Sequence, residues 1–197
     1  MAKAISQAAR AILSGGLIAV PTESFYGLAA NGTDEKAIER LLRVKKRHEH
    51  HPILILIAST DALKDLVKDI PRTAWEIMEA FWPGGLTLVF KAGPRVTPLL
   101  TGGTDKIGIR LSSHPIPTGL ARAAGVPITG TSANISGKPP CQDAEEVLRS
   151  LGEEIDLILD AGKAAGGKGS TVLDVTVEPP VILREGMVAR DLLASFL

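Results

Sequence analysis

Apolar positions along the chain fall into helical stripes separated by short continuous runs. Ala4, Ala8, Ala9, Ile12 and Leu13 share one helical face, and Gly15-Gly16 ends that helix. Leu17 to Val20 then reads as a short buried strand stopped by Pro21. Thr33 or Asp34 can cap the next helix, in which Ala37, Ile38, Leu41, Leu42 and Val44 keep helical spacing up to Lys45-Lys46-Arg47. Ile53 to Ile57 is an unbroken run of β-type residues, as expected of a central strand. Helices are predicted from Ser59 to Val67 and from Thr73 to Phe81, broken by Pro71 and Pro83-Gly84-Gly85. Strands at Leu86–Phe90 and Ile107–Leu111, a helix from Pro117 to Ala124 and a strand at Ile128 follow. A helix from Asp143 to Leu151 and strands at Leu157–Leu159, Thr171–Val175 and Val181–Leu183 complete the pattern, the last two near enough to pair antiparallel. The alternation predicts an α/β fold: one twisted, mixed β-sheet with helices packed on it.

Composition narrows the class without naming it. A chain of 197 residues, 45% apolar and 22% charged, is expected to form a single domain over 1–197 with a sizeable core. Formal net charge is zero, so basic character must be local and no global field draws nucleic acid. One cysteine excludes an intramolecular disulfide framework and suggests a reducing compartment. Met1 to Ser14 does not read as a targeting leader, and runs such as Ile53 to Ala58 are too short to span a bilayer. The expectation is a cytoplasmic enzyme without a membrane partner.

Three stretches carry candidate chemistry. Pro21-Thr22-Glu23-Ser24-Phe25-Tyr26-Gly27-Leu28 follows a strand, where open α/β sheets place ligands. Thr22 and Ser24 supply hydroxyls there, Tyr26 a flat wall, and Gly27 room for close approach, although an ordinary strand-to-helix turn has the same composition. Lys45 and Arg47 place fixed positive charge at a helix C-terminus, where cations also simply stabilise the dipole; Lys46 is expected to face solvent. Thr131-Ser132-Ala133-Asn134-Ile135-Ser136-Gly137 packs small hydroxyls and an amide into a loop after an apolar run. Together they suggest a cradle of short donors for an anion, neutralised by a mobile Lys and a planar Arg fork. No Walker A spacing occurs; Gly162 to Ser170 is Gly-rich but different, and its glycines predict a segment mobile without ligand and ordered with it. His48, His50 and His51 invite a metal reading, but no Cys or second His group lies nearby, so a polar loop is favoured over zinc. Lys106 and Arg110, four apart on a strand, share one face. Asp174 and Glu185 are read as partners of ion pairs within the fold.

With the Lys-x-Arg and Ser-x-Asn pair in this order after Pro21–Leu28, the chain resembles the YrdC family, the threonylcarbamoyl-AMP synthases that start threonylcarbamoyl modification of tRNA adenosine. The resemblance runs from about Ile12 to Arg184. It implies a YrdC-like fold with a concave basic substrate cleft, in the short form without the further C-terminal region some members carry. It implies a nucleotidyltransferase that joins L-threonine, bicarbonate and ATP into threonylcarbamoyl-AMP and pyrophosphate. Lys45 and Arg47 would be catalytic and, with His51, Lys106, Asn134 and Arg184, would bind ATP; Ser24, Arg110, Ser132 and Ser170 would bind threonine. Mg2+ would arrive mainly on the ATP phosphates, since no carboxylate cluster lies in the motifs. Partner proteins of tRNA modification are implied, and weak RNA binding is left open. The alternative in another class is a double-stranded RNA-binding protein using the same surface without synthase activity. His48 stands where the family usually has Pro, and Ser24 where it often has Thr.

Overall fold

The structure, a computed structural model, describes residues 1–197 with the exception of Glu49. In chain order the elements are α1 (Ala2–Leu13), β1 (Ile18–Pro21), β2 (Tyr26–Ala29), α2 (Glu35–Lys45), β3 (Ile55–Leu56), α3 (Leu63–Leu66) and α4 (Arg72–Phe81). Then come β4 (Leu86–Lys91), α5 (Pro98–Thr101), β5 (Lys106–Arg110), α6 (Pro115–Ala124), β6 (Ile128–Thr129) and β7 (Thr131–Ser132). The chain closes with α7 (Ala144–Leu151), β8 (Leu157–Ile158), β9 (Thr171–Asp174), β10 (Val181–Arg184) and α8 (Arg190–Leu193).

The class is α/β, as the alternation predicts, but the strands form two mixed sheets where the sequence suggests one. A four-stranded sheet has the order β7-β2-β1-β8 and a six-stranded one the order β10-β9-β4-β5-β3-β6. β9 and β10 do pair antiparallel. The sheets meet where Thr129 N–H donates to Ala30 O and Ala30 N–H to Thr129 Oγ1, at 2.9 and 2.8 Å. Pro21 to Leu28 is also not a strand-to-helix turn. Thr22 N–H closes a turn on Phe25 O at 3.0 Å, and β2 runs back antiparallel along β1.

Period-two alternation sends neighbouring residues of one strand into different cores. On β1, Ile18 and Val20 pack with Ala8 and Ile12 of α1 and Leu120 of α6, while Ala19 joins Leu28, Ile38, Leu41 and Ile109 on the opposite side. Fully burying each such Ile or Leu is worth roughly 1.5–3 kcal/mol, which is what fixes the register. β5 shows the functional side of the same rule. Ile107 and Ile109 are buried in the larger core, so Lys106, Gly108 and Arg110 turn to the other face. No helix of the described residues is long and apolar enough to cross a membrane.

Candidate active site

Six of the ten site residues singled out in the sequence converge on one cleft of about 240 Å3. Its walls include Ser24, Arg47, Arg110, Ser132, Ser170 and Arg184, with Thr22, Tyr26 and Thr131 between them. Among the described residues, three arginines and no carboxylate line it. A low-dielectric recess with that lining selects anions.

The end of α2 separates Lys45 from Arg47. Lys46 N–H donates to Arg43 O and Arg47 N–H to Leu42 O, both at 2.9 Å, and Lys46 adopts a left-handed conformation with φ 49°. This is a Schellman ending in which Lys stands where Gly is usual. The turn leaves Lys46 exposed and aims its neighbours differently. Arg47 forms part of the cleft wall, its Nε and Nη2 donating to the carbonyls of His51 and Pro52 at 3.3 and 2.8 Å.

Lys45 is not the mobile point charge expected. Its side chain is 1% exposed and donates to Ser132 O, to Asn134 O at 2.7 Å and to Asn134 Oδ1 at 3.3 Å. Its own carbonyl accepts from Ser136 N–H at 2.8 Å. Burial, and then the charge of Arg47, lower its pKa to about 8. Asn134 is likewise spent inside the loop. Its Oδ1 accepts from Lys45 and Ser132, and its Nδ2 donates to Ile135 O and Lys138 O at 3.1 and 2.5 Å. An amide with two donors and one oxygen has nothing left for a nucleotide in this arrangement. Lys45 and Asn134 therefore hold the loop that presents Ser132.

Two other expected nucleotide contacts lie off the cleft. His51 is exposed and reaches Arg47 through its carbonyl, while its ring stands edge-on to that of His48 at 6.1 Å. Lys106 pairs with Asp174 at 2.8 Å in an adjoining cavity of about 610 Å3, which shares Pro52, Leu54 and Arg184 with the cleft. Asp174 thus takes the ion-pair role expected of it, whereas Glu185 is exposed with no ion pair among the described residues. Burial would raise the Asp174 carboxyl, but hydrogen bonds from Lys106 and Thr176 and the Lys106 charge hold it below its ordinary value. Among the described residues no group of three or more His, Cys, Asp or Glu is arranged to hold a metal.

Hydroxyls and the remaining arginines complete the floor. Ser24 is buried, and its carbonyl accepts from Gly166 N–H at 2.7 Å. Ser170 Oγ accepts from Thr87 Oγ1 at 2.8 Å and from Arg184 Nη2 at 3.3 Å, which leaves its own O–H free to donate. Burial, then the nearby Arg110, lower the Arg184 pKa. Tyr26 OH donates to Gly162 O at 2.8 Å, and Ala164 N–H to Gln142 O at 2.7 Å. With Gly166 bonded to Ser24 and Gly169 O accepting from Met187 N–H at 2.9 Å, the Gly-rich segment carries hydrogen bonds to the rest of the fold at several points.

Glu23 is the residue whose part the sequence does not reveal. It stands in the β1–β2 turn with Oε2 2.5 Å from Arg110 Nη2. Its Oε1 accepts from Ser112 Oγ, Ser113 N and Ser113 Oγ at 2.8, 2.7 and 2.9 Å, and from His114 N at 3.3 Å. Burial would raise its pKa, but the Arg110 charge and these hydrogen bonds hold the carboxyl below its ordinary value. In the sequence it shows only as a carboxylate within a hydroxyl-rich motif.

Fold and site together define a cleft walled by arginines and hydroxyls at the meeting of two mixed sheets. The Sua5/YciO/YrdC family model, described as telomere recombination, matches residues 10–186, and the chain belongs to that family. It is similar to a threonylcarbamoyl-AMP synthase of Pyrococcus abyssi, 42% identical over 179 residues that make up 91% of this chain and 53% of that protein. Another of that name, from Vibrio campbellii, is 32% identical over 186 residues, 93% of this chain and 100% of the relative. Among solved structures, P. abyssi Sua5 complexed with L-threonine superposes with a TM-score of 0.97 at 39% identity, covering 100% of this chain and 58% of that one. The chain thus spans about half the length of the first of these relatives.

Proposed function

We propose that the protein is a threonylcarbamoyl-AMP synthase acting in threonylcarbamoyl modification of tRNA. The observation that carries the reading is the joining of buried hydroxyls and three arginines in one cleft, in a chain whose fold matches a threonine-bound Sua5. Arg110 would take the threonine carboxylate, with Ser24, Ser132 and Ser170 around the amino acid. Arg47 and Arg184 would face the phosphates of ATP, and Lys45 and Asn134 would hold the Ser132 loop in register. Lys106 and the adjoining cavity would lie along the nucleotide, and His51 beside it.

The threonine amine would attack the carbon of bicarbonate, giving a carbamate with loss of water. A carbamate oxygen would then bond to the α-phosphorus while the bond to the bridging oxygen of the β-phosphate breaks and pyrophosphate leaves. No side-chain nucleophile is needed, so the protein contributes positioning and electrostatic stabilisation of charge developing on the phosphates. Among the described residues the cleft lining offers no carboxylate for Mg2+, which fits a metal carried in on the triphosphate; it would help neutralise the leaving pyrophosphate.

Partner proteins would consume the adenylate, because a mixed anhydride of this kind hydrolyses in water. Nothing favours the double-stranded RNA-binding alternative: the cations are gathered in a recess, and net charge is zero. The test is incubation with ATP, Mg2+, bicarbonate and labelled threonine. Pyrophosphate released only when threonine is present, with the label in an adenylate, is expected; threonine-independent or absent release refutes the reading. Valine should be rejected by about 10^4 or more if the hydroxyls pair with the substrate hydroxyl, and serine by only about 1–3 kcal/mol.

A further inference from the structure

We propose that Glu23 is the positioning residue of Arg110, and that through it Glu23 sets how firmly the cleft holds an amino-acid carboxylate; this rests on the synthase reading above. The two residues come from different sheets, Glu23 from the β1–β2 turn and Arg110 from the end of β5. Arg110 Nη2 lies 2.5 Å from Glu23 Oε2 as a charge contact outside hydrogen-bond geometry, and neither atom has a hydrogen-bond partner among the described residues. Arg110 Nε donates to Gly84 O at 2.8 Å. Nε and Nη2 form one edge of the guanidinium, so the protein occupies that edge and leaves Nη1 for the cleft. A planar fork hydrogen-bonded at Nε and charge-paired at Nη2 has lost most of its freedom to rotate, which is the condition for orienting a second carboxylate.

The identity of Glu23 follows from what surrounds it. Every group on its two oxygens is a donor: the Arg110 guanidinium, two hydroxyls and the backbone N–H groups of Ser113 and His114. Only an acceptor-only side chain fits five converging donors, and an ionised carboxylate is one. A Gln amide must set its NH2 either against Arg110 or against the Ser112–His114 turn, whichever way it is flipped. Those residues lead directly into α6, so Glu23 ties the guanidinium to a rigid helix start as well as to its own hairpin. Arg110 is also the one cleft arginine with a carboxylate partner among the described residues. The pairing sets a carboxylate charge against a 7%-exposed cation before substrate arrives.

The experiment is calorimetric titration of wild type and Glu23→Gln with L-threonine and, separately, with ATP. A fivefold or greater weakening of threonine binding, with ATP binding within twofold and a cooperative thermal transition retained, is expected. Weakening below fivefold, or equal loss for both ligands, overturns the inference. The same substitution made on Arg110→Met should change threonine binding by less than twofold, because a residue acting through Arg110 has nothing left to act on; an undiminished effect there assigns Glu23 a different role and also overturns it. If Glu23→Gln does not fold, Glu23→Asp decides. It keeps the charge but, one methylene shorter, cannot span Arg110 and Ser113 together, so the same fivefold criterion applies. Wild type that binds no threonine removes the synthase reading and this inference with it; wild type that binds threonine beside an unaffected variant removes this inference alone.

Discussion

Lys45→Met asks whether a buried ammonium is the pin of the Ser132–Asn134 loop. Met is unbranched and of similar length, so packing is nearly kept while the charge and its donors disappear. Two opposing quantities decide the stability. Burial and Arg47 bring the Lys45 pKa from 10.5 to about 8; at about 1.36 kcal/mol per unit, holding the charge there costs about 3 kcal/mol. Against that, hydrogen bonds from a charged group are worth roughly 1.5–3 kcal/mol each. Lys45 makes two close ones, to Ser132 O and Asn134 O, and a longer one to Asn134 Oδ1. The difference makes Lys45 a net stabiliser by at most about 3 kcal/mol, which at 2–4 °C per kcal/mol lowers Tm by no more than about 12 °C. Activity should suffer more. The freed carbonyls turn toward water, the loop carrying Ser132 moves, and a shift of about 1 Å in a positioning group costs about 100-fold. Thermal unfolding with threonine-dependent pyrophosphate release reads both. Activity within threefold of wild type would show that the loop needs no pin, and a Tm loss well beyond 12 °C would make Lys45 a core element instead.

The same lysine predicts an alkaline limb. Its folded pKa lies below its unfolded value, so between about pH 8 and 10.5 the unfolded chain binds more protons and this group adds stability as pH rises. Activity should fall as pH passes about 8, and the residual activity of Lys45→Met should lack that limb; an identical limb in both assigns it elsewhere. Arg47→Ala should lose a charge-assisted phosphate contact of about 1.5–3 kcal/mol in pyrophosphate release. Its Tm should be nearly unchanged because the carbonyls it bonds belong to the loop after α2; unchanged turnover sinks the role. In Gly186→Ala the new Cβ would fall on backbone atoms of Gly169 and Ser170. It should cost about 1–3 kcal/mol by thermal unfolding and weaken threonine binding; a variant indistinguishable from wild type in both would show that Ser170 need not sit where it does.

Much of this was legible in the chain, and the gaps have physical causes. The helical stripe from Ala37 to Val44, with Asp34 as its cap, appears where the pattern places it because packing and capping agree. β2 escaped notice because Tyr26-Gly27-Leu28-Ala29 is short and carries no β-branched residue. Strands of two residues, such as Ile55–Leu56 and Thr131–Ser132, have no period of their own, so pairing across the fold defines them and splits the strands into two sheets. At the site, six of the ten expected residues share one cleft. The other four diverge for a local reason in two cases: a left-handed Lys46, which a sequence without Gly conceals, and an Asn134 saturated by its own loop. Lys106 is drawn off by Asp174, and the His51 ring lies outside the wall.

The carbonyl partners of Arg47 and Arg184 have a consequence for how substrate arrives. Both guanidiniums are held by uncharged oxygens. Neither has a carboxylate partner among the described ion pairs. Among the described residues their charge is fixed in place without being cancelled, in a chain whose formal charge sums to zero. Two such cations make their wall of the cleft locally positive. It offers a polyanion a field that reaches only about 8–10 Å at physiological salt and guides the final approach. Encounter with ATP should then slow as salt is raised while encounter with zwitterionic threonine barely changes, so ionic strength would tip which substrate enters first.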